Sequence, residues 1–221
     1  DVRALAFSPG GEKLLAAAAP GLTAFDVASG RGERYTAFGA APRALAWAPD
    51  GATFAVARGD ASVALGALGH ASPVSVVPML GSPTSLALDD GRIMTSDADG
   101  SVAVRSLSRG RVLDRAREPG VAARALVRLP GSLAASMSDG SVRFFLPQHE
   151  RAVVAVYLAD HDVVAVAPDG HVEARGDGAR DALACRLGAV LVPFDVCAEQ
   201  FVVKDLLALA LSGKDPAEAD P

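Results

Sequence analysis

Glycine recurs at a fixed interval along this chain. Gly11, Gly51, Gly91, Gly131 and Gly170 lie about 40 residues apart. A second series, Gly21, Ala61, Gly100 and Gly140, runs beside it with nearly the same period. Self-similarity at a spacing of roughly 20–50 residues means that one supersecondary unit is reused, each copy burying its apolar face against a neighbour. Any fold for this sequence has to place four copies and the start of a fifth.

The segments between the glycines are too short and too alternating for helices. In the first unit residues 2–7 read as a strand and Ser8-Pro9-Gly10-Gly11 as a turn, because Pro fixes φ and Gly accepts φ > 0. Residues 14–19, 22–27 and 33–38 supply three more strands, separated by Pro20-Gly21 and Ser29-Gly30. Arg43-Ala44-Leu45-Ala46-Trp47 repeats Arg3-Ala4-Leu5-Ala6-Phe7. Four short strands per unit at this period are the mark of a β-propeller blade. Antiparallel sheets are therefore expected around 2–38, 43–80, 84–118 and 124–158, with a fifth, partial sheet at 163–174. Leu5, Leu45, Leu86 and Leu126 are expected as equivalent core residues, and Phe7 and Trp47 as packed neighbours.

After Gly176 the rhythm stops. Residues 179–187 have helical spacing, 190–193 suit a short strand, and 196–201 and 205–211 suit two short helices closed by Gly213. This divides the chain into blades at 1–176, a helical appendage at 177–213 and a disordered polar tail at 214–221. Leu183, Leu187, Phe194, Phe201, Leu206, Leu207 and Leu211 are too apolar to leave in water. The appendage is expected to dock on the strand at 153–158 or on the unfinished fifth sheet.

The repeats resemble those of the WD40 family. Ser8-Pro9-Gly10-Gly11, Ala48-Pro49-Asp50-Gly51 and Ala167-Pro168-Asp169-Gly170 match its S-P-D-G turn. Asp99-Gly100-Ser101-Val102 and Asp139-Gly140-Ser141-Val142 match its D-G-[ST]-V opening. The likeness covers about residues 2–174. The repeats are degenerate: the W-D pair stands only as Phe25-Asp26, and elsewhere as Leu65-Gly66, Arg105-Ser106 and Phe145-Leu146. The family's His–Ser–Asp–Trp network is thus absent. Residues 162–174 and Lys204-Asp205-Leu206-Leu207 also look like the segment that closes WD-repeat regions of bacterial multidomain proteins, some carrying caspase-like peptidases. The resemblance implies an all-β fold of WD40-like blades, about four complete plus one partial, within a bacterial, cytoplasmic, multidomain parent.

The chemistry is sparse. Asp97-Ala98-Asp99-Gly100 looks like a calcium loop, but its twelfth position is Ser108 rather than Glu, so it reads as a turn. His70, His149, His161 and His171 stand singly in the sequence and read as surface histidines. No catalytic, cofactor-binding or metal-ligating residue is assigned. Cys185 and Cys197 fit neither a zinc ribbon nor a CxxC pair and read as buried free thiols, which points to a reducing compartment. The net charge of −5 disfavours nucleic acid, and Arg105, Arg109, Arg111, Arg115 and Arg117 read as a solvated outer strand with its turn. No run of apolar residues is long enough to span a membrane, and the residues from Asp1 onward read as a strand rather than a signal-peptide pattern.

A non-catalytic interaction scaffold follows, with a protein partner or a neighbouring domain of the same parent chain. Its rivals are a propeller enzyme with a channel site, lactonase or hydrolase-like, and a sensor domain regulating an attached effector. The chain starts at Asp1 and enters a strand at once, so it is expected to be the C-terminal part of a longer propeller. A compact five-bladed ring is the alternative.

Overall fold

The structure is a computed structural model and describes residues 2–216 apart from 19–20, 40–41, 90, 108–110, 148, 160, 177 and 188. Strands β1 (Val2–Phe7), β2 (Lys13–Ala18), β3 (Gly21–Asp26) and β4 (Gly32–Tyr35) form one antiparallel sheet in chain order. The same meander repeats in β5 (Pro42–Trp47), β6 (Thr53–Arg58), β7 (Ser62–Ala67) and β8 (Ser75–Pro78). It repeats again in β9 (Pro83–Asp89), β10 (Arg92–Asp97), β11 (Ser101–Ser106) and β12 (Val112–Arg117). The chain divides into two compact units, Asp1–Leu126 and Val127–Pro221.

The glycine period has a local cause. Gly11, Gly51, Gly91, Gly131 and Gly170 all adopt left-handed φ, between 64° and 94°. A side chain there would meet its own carbonyl, so glycine is the default. At Gly100 the constraint is doubled, because a Cβ would collide with the carbonyl oxygens of Glu118 and Val121. Ala61, the non-glycine member of the second series, holds φ 56° with its Cβ in place.

The next sheet departs from expectation. Strands β13 (Ala123–Leu129), β14 (Ser132–Met137), β15 (Val142–Phe145) and β16 (Val154–Ala159) continue directly into β17 (Asp162–Val166) and β18 (Val172–Arg175) as one six-stranded sheet. The partial unit is not a separate fifth sheet. Its first strand pairs with β16, Ala159 opposite Asp162. So short a connection folds the chain back as a hairpin and leaves no length to start a new sheet.

The helix expected over 179–187 is also absent. Residues Ala184–Leu187 form β19, paired with β20 (Val190–Pro193). Short apolar runs satisfy either period, and tertiary partners decide between them. Here the partner is covalent: Cys185 and Cys197 form a disulfide with Cα atoms 6.5 Å apart, and neither is a free thiol. The bridge lies in a cluster with Val164, Val172, Ala179 and Phe194.

The appendage docks. A 3₁₀ turn at Phe194–Val196 leads to α1 (Ala198–Phe201) and α2 (Leu206–Leu211). Leu206 and Ala210 are buried with Val153, Val154, Val156 and Ala165, while Leu211 remains exposed. Val202 bridges Val172 in parallel, and the Val203 N–H donates to the Val172 carbonyl at 3.0 Å. Both expected receptors, the 153–158 strand and the strands of the partial unit, β17 and β18, are therefore used. Glu173, buried on β18, accepts the Leu207 N–H at 2.9 Å and pairs with Arg175. That bond satisfies one of the orphan donors at the start of α2. Of the tail, Asp215 lies 3.4 Å from His149 and Pro216 is buried; residues 217–221 fall outside the described residues.

The core of Asp1–Leu126 lies between consecutive sheets. Leu15, Ala17, Leu22, Ala24, Tyr35 and Phe38 pack with Trp47, Phe54, Val56 and Ala64. Phe54 sits at its centre, its ring 5.7 Å from Tyr35, 5.4 Å from Phe38 and 5.7 Å from Trp47. Gly66 makes room for it, since a Cβ at that position would strike the Phe54 ring.

Replacing Phe54 by Ala is expected to cost about 3–5 kcal/mol in a denaturant titration. Leu5→Ala, at an exposed site, is expected to stay within about 0.5 kcal/mol. Glu173→Ala leaves the α2 N-terminus and Arg175 without their acceptor and is expected to cost about 1–3 kcal/mol. Faster limited proteolysis across residues 203–213 checks it, and Glu173→Gln should lose less.

The Asp26 carboxylate accepts the Ser29 hydroxyl and N–H and the Lys13 ammonium, which together lower its pKa from an ordinary 3.8 to about 2. A folded-state pKa below the unfolded one stabilises the fold above pH 4, and the contribution is lost as pH falls through 2. The thermal midpoint is expected to drop between pH 4 and pH 2, less so in Asp26→Asn.

Candidate interaction surfaces

Strand β1 is built like β5 and β9 but is covered differently. Leu5 faces Ala16 across the sheet, Leu45 faces Val56, and Leu86 faces Thr95. Each of the three strand pairs carries a register shift at the same place, beside Val2, Pro42 and Pro83. Yet Leu5 is 60% exposed, while Leu86 and the equivalent Leu126 are 5% and 8% exposed. Phe7 is 63% exposed, against 9% for Trp47 and 7% for Leu88. Val2 is exposed, whereas Pro42, Pro83 and Ala123 are buried. The expectation that Leu5 and Phe7 are core residues fails. Leu45 is partly buried; Leu86 and Leu126 are buried as expected. Pattern within the strand is the same in each case; what differs is the presence of a sheet against it.

A second feature lies within Val127–Pro221. A cleft of about 380 Å³ has Val153, Ala167 and Pro168 in its wall and His149, Asp169 and Asp215 at its polar side. Burial works against the charged form of Asp169, but the His171 N–H at 3.0 Å and ring nitrogen at 2.8 Å outweigh it and hold the carboxyl below its usual range. His149 reaches Asp215 across 66 positions of sequence, an association that no local motif announces. A cleft with an apolar wall and polar groups along one side can take an apolar side chain flanked by polar groups.

The third lies in the β9–β12 sheet. Arg105 on β11 is buried, which corrects its reading as part of a solvated outer strand; Arg111, Arg115 and Arg117 are exposed, and Arg109 lies outside the described residues. Arg115 donates to the Ser101 hydroxyl at 3.0 Å, and Arg117 lies 3.6 Å from Asp99. Asp97 Oδ1 and Arg105 Nε are buried without hydrogen-bond partners among the described residues. Burial pushes the Asp97 carboxyl up, and the neighbouring Asp99 adds to this against the pull of Arg105 and Arg115. Leu80, Gly81 and Ser82 close a pocket of about 280 Å³ over the group.

The Asp97–Gly100 segment is a turn, as its sequence indicates. The Gly100 N–H donates to the Asp97 carbonyl at 3.1 Å, and the Asp99 carboxylate accepts the Ser101 N–H at 3.0 Å. Asp139 does the same for Ser141. These carboxylates are engaged in closing turns. Among the described residues no three of His, Cys, Asp and Glu gather to hold a metal ion. Trp47 is a packing residue, as expected, and its indole N–H donates to the Ala6 carbonyl at 2.9 Å.

No protein-family model and no curated protein matches the chain. Solved structures do match. One is the structure of U3-55K, a WD40 β-propeller protein, with a TM-score of 0.61 and 14% sequence identity over 87% of this chain and 68% of that one. At such low identity the likeness shows the fold alone. The chain is an all-β protein of WD40-like, four-stranded propeller blades carrying a small helical appendage.

Proposed function

We propose that the protein is a non-catalytic scaffold for protein–protein interaction, the WD40-repeat portion of a larger bacterial multidomain protein. Its partner is another protein or a neighbouring domain of the same parent. The observation that carries this reading is the row of Val2, Leu5 and Phe7 on β1, each at least 60% exposed. Large apolar side chains fixed on a rigid strand gain free energy when covered, by roughly 25 cal/mol per Å². The charge distribution favours a protein over nucleic acid: Arg105 is buried, and Arg115 and Arg117 already engage Ser101 and Asp99. No helix among the described residues is long and apolar enough to cross a membrane. The Cys185–Cys197 disulfide supports an oxidising compartment rather than the cytoplasm that free thiols would suggest.

Site-specific photo-cross-linking in the native chain and host tests the proposal. A photoreactive residue at position 5 is expected to give an adduct of defined mass, and one at the exposed Val76 none. No adduct, or the same adducts at both positions, would remove the scaffold reading. A stoichiometric metal in the purified protein would favour the propeller enzyme instead.

A further inference from the structure

We propose that the Cys185–Cys197 disulfide is a redox latch. Oxidised, it holds the appendage shut on β17 and β18; two-electron reduction loosens that hold while the sheet beneath stays folded. The device belongs to the appendage alone and is independent of what meets β1.

The elements that the bond joins are too short to keep their own shape. β19 and β20, four residues each, form a two-stranded sheet by themselves. α1 is a single turn of four residues. A lone hairpin and a one-turn helix are marginal in water. Cys185 stands inside the hairpin, opposite Val192, and Cys197 directly precedes α1. The bond therefore ties the hairpin to the segment that leads through α1 to Val202 and Val203 at the β18 edge. Beyond them, Leu206 and Ala210 lie against Val154 and Val156. Closing a loop of 12 positions restricts the open segment, so cutting it makes release more favourable.

The surroundings suit both states. Cys185 and Cys197 pack with Val164, Val172 and Phe194 and are 9% and 7% exposed. The Phe194 carbonyl oxygen lies 3.2 Å from the Cys197 sulfur and 4.0 Å from the Cys185 sulfur. In the bonded state neither sulfur carries a proton. After reduction a thiol S–H can donate to that carbonyl, and the rest of each side chain packs as a small apolar group. The step is thiol–disulfide exchange with a dithiol reductant. A thiolate of the reductant bonds to one cysteine sulfur, the Cys185–Cys197 bond breaks, and its electron pair leaves on the other sulfur, which takes a proton. The reductant's second thiol loses its proton and closes on the first, releasing the remaining cysteine, which is protonated in turn. The protein gains two electrons and two protons, and the dithiol becomes a disulfide. Because both sulfurs are buried, opening of the appendage gates the first attack.

Hydrogen exchange followed residue by residue on the native chain tests the latch. Two amides report on it directly: Val203, which donates to the Val172 carbonyl at 3.0 Å, and Leu207, which donates to Glu173 at 2.9 Å. Dithiothreitol in native buffer is expected to cleave the bond and to speed exchange at both amides by about tenfold or more. Val156 in β16 should keep its rate, and reoxidation should restore slow exchange at Val203 and Leu207. Cys197→Ser should exchange fast at both positions with or without dithiothreitol. A bond that yields to dithiothreitol only in denaturant overturns the proposal and makes the disulfide a fixed staple. So does equal exchange at Val203 and Leu207 in the oxidised and reduced chains, or slow exchange there in Cys197→Ser. Acceleration of Val156 together with the two reporters also overturns it, because the bond would then support the whole sheet rather than latch the appendage.

Discussion

Trp47 spans the step from one sheet to the next. Its ring meets Phe54 at 5.7 Å, and its indole N–H reaches back to the Ala6 carbonyl at 2.9 Å. Around that step the layers are thin, because Ala17, Ala24 and Ala64 are all buried. Methyl groups let twisted sheets approach closely but contribute little area each. Aromatic residues make up only 5% of the chain, and four of them, Tyr35, Phe38, Trp47 and Phe54, are spent on this one contact. They bury large area and interlock edge to face, which fixes the angle between the sheets as well as holding them.

This concentration lets the repeats depart from the WD40 sequence pattern and still pack as four-stranded antiparallel sheets. The family's tryptophan position holds Leu65, followed by Gly66 where an Asp is usual. Gly66 is small because the Phe54 ring occupies the space beside it. In this chain the aromatic bulk stands on the second strand, and the third-strand residue beside it is glycine. The turn aspartates persist because their work is local. Asp50, Asp99, Asp139 and Asp169 each accept the N–H two residues on, whatever the core contains.

What was legible in the sequence was what a few consecutive residues decide. The left-handed glycines gave the repeat period and the turn after each first strand, the alternation gave the strands, and Gly213 closes α2 with φ 75° as its position suggests. What was hidden depends on chain from elsewhere. Leu5 and Leu86 occupy the same place in the same motif, and only the presence of a covering sheet separates core from surface. Residues 184–187 took the strand because β20 and the disulfide were there to receive them. Arg105 has the sequence context of a surface arginine and is buried. Of the candidate surfaces, the β1 residues were named from sequence with the opposite burial, and the His149–Asp215 pair was not visible at all.

The fastening of Val202 and Val203 to Val172, with Glu173 holding the start of α2, sets a direction in time. Residues 162–175 leave the ribosome about 30 positions before the segment that borders them, at the roughly 5–20 residues per second of synthesis. For those seconds β18 offers its unpaired N–H and C=O groups to any extended strand nearby. The Val172 end of that edge finds its backbone partner only when Val202 and Val203 arrive. For that stretch of the edge the open interval is one of manufacture, and its length is written in the spacing between Val172 and Val202.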